Sequence, residues 1–95
     1  MHVKIVGTSI RTEDILYITD LKKGQHNYAS KFTIAFRTGQ HVDIELNTEN
    51  FGLDKNSLED IAQLKVHMKK LRDELDIAWR GEGESKTISL RELTQ

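Results

Sequence analysis

Two hydrophobic periods divide this chain. Tyr28, Ser30, Phe32, Ile34 and Phe36 alternate with Ala29, Lys31, Thr33, Ala35 and Arg37. After Thr38-Gly39-Gln40, Val42, Ile44 and Leu46 alternate with His41, Asp43 and Glu45. A period of two puts each set on its own face of a strand, so the two runs predict a β-hairpin with one apolar face. From Ser57 to Trp79 the period changes. Ile61, Leu64, Met68, Leu71, Leu75 and Ala78 recur at spacings of three and four, which is one stripe of an α-helix. At 1.5 Å rise per residue this helix is a rod of roughly 34 Å, long enough to cross a small sheet.

The helix carries end signals. Ser57 followed by Asp60 resembles a capping box with Asp in place of the usual Glu or Gln, and Asn56 is the competing N-cap. Glu59 and Asp60 place negative charge at the positive end of the helix dipole, and Arg80 lies at the other end. Gly81 is the expected stop, in a left-handed turn. Lys69, Lys70, Asp73 and Asp76 occupy the face opposite the stripe. Lys69–Asp73, Lys70–Glu74 and Arg72–Asp76 are spaced for pairs worth about 0.2–0.5 kcal/mol each.

The remaining segments are short. Val3 to Val6 predicts a strand, Gly7 to Ser9 a turn, and Ile10 to Asp14 one helical turn. Ile15 to Leu21 is apolar on both sides and is expected near the middle of the sheet. Lys22 to Asn27 reads as a polar turn around Gly24, and Asn47 to Asn56 as a connection anchored by Phe51 and Leu53. Gly81 to Ser85 is a link of small and acidic residues. Lys86 to Leu93 reads as a last strand through Ile88 and Leu90, with a short helix through Leu90 and Leu93 as the alternative. The expectation is therefore an α+β chain: an antiparallel sheet of four to five strands packed against one long C-terminal amphipathic helix, a pleckstrin-homology-like or similar small sheet-plus-helix architecture. It is read as one domain over residues 1–95, with strands in 1–46, the helix in 57–80 and a linker and tail strand in 81–95.

Val66 and Ile77 lie off the helix stripe, and Trp79 lies at its end. One sheet does not bury all of them, so a second apolar contact is expected, with the tail or with another subunit. The stripe is also a short heptad run, but its flanking Lys65, His67, Arg72 and Glu74 give no clean pattern of opposite charges. The expected interface set is Val66, Ile77 and Trp79 on the helix with Ile88 and Leu90 in the tail. The partner is a second copy of the chain or another protein.

Composition adds exclusions. The chain has 95 residues, 31% of them charged and 37% hydrophobic, with a net charge of −1. That balance supports one modest core and does not suggest disorder. A nucleic-acid binder is more often basic overall. Cysteine is absent, which removes disulfides and thiolate chemistry and fits a cytoplasmic protein. No apolar run approaches 18 residues, and Met1 leads into a strand, so neither a membrane span nor a signal peptide is expected.

Residues with chemistry to offer are few. His2, His26, His41 and His67 have no metal-ligand spacing. Glu13 with Asp14, and Asp73 with Glu74, are sequence neighbours, whereas acid–base catalysis needs two carboxyls in different environments across a cleft. No serine stands in a nucleophile elbow, and Gly81 and Gly83 follow a helix where a phosphate loop would precede one. No catalysis, cofactor or metal is expected. Arg11, Lys22, Lys23, Lys31 and Arg37, interleaved with Tyr28, are candidates for a small anion or nucleic-acid patch.

The run IRTEDILYITDL, a strand pair with TGQ at its turn, and then SLEDIAQL resemble the first half of a LytTR-type DNA-binding domain over residues 10 to 64. The resemblance implies strands leading to a short helix and a nucleic-acid function. The later basic and aromatic segment that supplies that family's DNA contacts has no counterpart here; a long amphipathic helix stands in its place, so no DNA-contacting position carries over. The expected function is a non-enzymatic binding or assembly module that self-associates. A nucleic-acid module is the alternative, and a small enzyme ranks last.

Overall fold

The computed structural model describes residues 2–81 and 86–88. Among these residues the strands form two sheets, and one α-helix covers them. In the first sheet β1 (His2–Ile5) pairs antiparallel with β2 (Thr8–Arg11), Ile5 lying opposite Thr8. The turn sits at Val6-Gly7, one residue earlier than expected, with φ of 47° and 80°. Positive φ at both central residues is what a two-residue type I′ hairpin requires. Thr8 and Ser9, read as turn residues, are therefore strand. The single helical turn expected before Asp14 is a 3-10 turn over Thr12–Asp14.

The second sheet is built on β5 (Ala29–Phe36). On one side lies β6 (His41–Asn47), antiparallel, with Phe32 opposite Ile44 and Ile34 opposite Val42. On the other side β3 (Ile15–Ile18) and β4 (Lys22–Lys23) pair end to end with β5. The segment expected in the middle of the sheet is thus an edge. Its register shifts between Ile15 and Tyr17. Ile15 is buried, whereas Leu16 and Tyr17 are about half exposed. Two-sided apolarity here reflects that irregularity rather than burial on both faces.

The helix α1 (Leu58–Arg80) closes the inner faces of both sheets. Ser57 is its N-cap, its hydroxyl accepting from the Asp60 amide at 3.3 Å. The box is not completed: the Asp60 carboxylate instead accepts from the Asp54 amide at 2.7 Å, tying the preceding loop to the first turn. Gly81 ends the helix with φ −83°, extended rather than left-handed, its amide donating to the Ile77 carbonyl. Leu64, Met68, Leu71, Leu75 and Ala78 are buried as the stripe predicts. Ile61 is only partly covered, because the first turns of α1 overhang a groove beside β4. Full burial of a leucine or methionine contributes about 1.5–3 kcal/mol, so this stripe is a main source of stability.

The core joins Val3, Ile5 and Ile10 of the first sheet to Ile15, Phe32, Ile34, Ile44 and Leu46 of the second through the helix stripe. Phe51 and Leu53 pack on its margin, as the sequence indicates; Phe51 ends a 3-10 turn over Thr48–Phe51 whose Asn47 and Asn50 side chains cap each other's backbone. After the helix, β7 (Lys86–Ile88) joins β1 in parallel, setting Ile88 opposite Ile5. The expected tail strand exists over these residues. Leu90 and Leu93 lie outside the described residues.

Candidate interaction surfaces

The outer face of α1 follows from the sequence period. At 100° per residue, positions 66, 70, 73 and 77 point the same way within about 60°, away from the buried stripe. Val66 is 57% and Ile77 60% exposed, three turns apart, and Lys70 and Asp73 between them are exposed as well. The other expected interface residues are elsewhere. Trp79 lies on the core side of the helix, partly buried against the cluster. Ile88 is 4% exposed, because pairing with β1 turns it into the core beneath α1. Both are packing residues of the fold, and Leu90 lies outside the described residues.

The basic positions do not gather into one patch. Arg11, on β2, is within 3.7 Å of Glu13 and 3.9 Å of Asp14. Arg37 is in the β5–β6 turn. Lys22 and Lys31 do meet, directly opposite each other across β4 and β5. On the far side of Lys31, however, lies Glu45, and Asp43 stands opposite Thr33 on the same outer face. Like charges opposite one another are unfavourable, and the two carboxylates offset them. The Thr33 hydroxyl donates to Asp43 at 2.6 Å and holds its carboxyl below the ordinary value of 3.8; Lys31, His41 and Lys22 act in the same direction. This face is a shallow depression of about 470 Å³, of mixed charge.

A groove of about 540 Å³ runs between β4 and the start of α1. Leu21, Leu58 and Ile61 form its apolar walls, and Lys22, Lys23 and Lys65 its rim. Leu58 is 81% exposed there. Sequence periodicity did not single out Leu58 because it is the first helical residue, outside the stripe.

The histidines sit on separate elements. His26 stacks on Tyr28, ring centroids 4.9 Å apart, and Lys55 Nζ lies 5.7 Å from the same ring. His67 is buried, with its ring 5.0 Å from Phe51. The described residues contain no group of three His, Cys, Asp or Glu placed to hold a metal ion. Among them, no helix is long and apolar enough to cross a membrane. No protein-family model, curated protein or solved structure matches this chain.

Proposed function

We propose that this chain is a non-enzymatic binding and assembly module that associates with a second copy of itself through the outer face of α1. One observation carries the reading: Val66 and Ile77, two large apolar side chains, are mostly exposed on the same helical face. Single exposed apolar residues are ordinary on a protein surface, but here two align on a rigid element. The inner stripe of α1 already covers the chain's own core, so this outer face is not needed for folding. The nucleic-acid alternative draws less support, since Lys22 and Lys31 share their face with Asp43 and Glu45.

Light scattering across a concentration series tests the reading. The expected result is a mass that rises from one chain to two as concentration increases. A mass of one chain at every concentration overturns it.

A further inference from the structure

Beyond self-association, on whose reading this inference rests, the geometry points to one arrangement: an antiparallel pairing of two α1 helices about a two-fold axis passing between residues 71 and 72. In an isologous interface, if residue i meets residue j, then j meets i. With the axis at that level, positions whose numbers are equidistant from it come face to face. Val66 then meets Ile77 of the second copy, and Ile77 meets its Val66. Lys70 meets Asp73, and Asp73 meets Lys70. Each apolar residue finds an apolar partner and each charge its opposite.

The outer face is thus self-complementary in one direction only. A parallel pairing in register sets Lys70 against Lys70 and Asp73 against Asp73, a repulsion at the centre of the contact. A single helix pair is a small interface, so the expected association is weak and reversible, on the order of micromolar.

The native chain has no cysteine, which makes crosslinking unambiguous. Val66→Cys and Ile77→Cys are prepared separately, verified by circular dichroism to keep the native fold, mixed and mildly oxidised. The expected product is a 66–77 disulfide between copies, formed faster than the 66–66 or 77–77 product of either variant alone. Charge exchange supplies an independent arm. Lys70→Asp and Asp73→Lys should each weaken self-association about tenfold, and an equimolar mixture should recover it, because each variant then offers the charge the other lacks.

Dominant 66–66 and 77–77 products overturn the antiparallel arrangement while leaving self-association standing. Failure of the mixed charge variants to recover, when the native chain is dimeric, likewise overturns it. A native chain that stays monomeric removes the parent reading and this arrangement together.

Discussion

Arg72 on the helix donates through Nε to the backbone carbonyl of Thr19 at 2.7 Å, across 53 residues of sequence. Its Nη2 reaches the Ile18 carbonyl at 3.3 Å and stands 3.7 Å from the Asp20 carboxylate. The cause lies in the sheet. Thr19 N donates to the Thr33 carbonyl, but Thr33 N donates to the Thr19 hydroxyl and not to its carbonyl. The side chain takes the backbone's place in the ladder, and the Thr19 carbonyl accepts from the helix. The same substitution lies at the break between β3 and β4. Arg72 therefore fastens α1 to the sheet edge where strand pairing is interrupted, in place of the Arg72–Asp76 pair that spacing suggests. Asp76 pairs with Arg80 at 3.2 Å.

Removing this fork leaves two part-buried carbonyls short of a donor. Arg72→Ala should cost roughly 1.5–3 kcal/mol in chemical denaturation. Arg72→Lys should recover less than half, since an ammonium is a point donor and does not span both carbonyls as a planar guanidinium does. An Arg72→Ala loss under about 0.5 kcal/mol, typical of an ordinary surface change, would contradict the role.

Thr19→Val keeps the shape and removes the hydroxyl that the Thr33 amide uses. The expected loss is about 1–3 kcal/mol, with faster hydrogen exchange at Thr33, and Thr19→Ser should restore both. Unchanged exchange at Thr33 in Thr19→Val would show that the hydroxyl is not the acceptor.

Val6 has φ 47°, where a β-branched residue is strained, and it is nearly half exposed, so little burial depends on it. Val6→Asn should stabilise the chain by about 1 kcal/mol, because Asn tolerates the left-handed region. For a domain of this size that is a rise of roughly 4–8 °C in Tm. A fall in Tm would place the value of Val6 in packing instead.

The Thr33–Asp43 bond makes an acid-dependent contribution. Asp43 titrates below 3.8 in the folded chain. Its stabilisation is complete above the unfolded value and is lost as pH falls through the lowered folded value. Thr33→Val should move the Asp43 titration upward toward 3.8, read by carboxyl carbon NMR, and make stability fall less steeply with acid, since a carboxyl with matched folded and unfolded values contributes no pH dependence. An unmoved Asp43 titration would assign the effect to the neighbouring Lys31, His41 and Lys22.

The main elements were legible because each rests on a local period. The alternation of Phe32, Ile34, Val42, Ile44 and Leu46 fixes which hairpin face is buried, and the stripe from Leu64 to Ala78 fixes the inner side of α1. What escaped depends on contacts far apart in sequence. That β7 would join β1 in parallel, taking Ile88 into the core, follows from where the end of the helix delivers the chain. The Arg72–Thr19 bond follows from a side chain replacing a carbonyl in a ladder, which no spacing rule encodes. Val66 and Ile77 stand out in the sequence as surplus on the helix; stripe counting sorts Trp79 with them because it does not register how much room remains at a helix end, where Trp79 packs on the core.

The proposed association of two copies through Val66 and Ile77 of α1 makes one direct demand. Sedimentation equilibrium of the native chain and of a Val66→Ser, Ile77→Ser double variant, with circular dichroism on the same samples, meets it. The expected result is a monomer–dimer equilibrium for the native chain and a folded monomer for the variant across the same concentrations. An identical mass for both, or a variant that loses its helix, would contradict a face reserved for association.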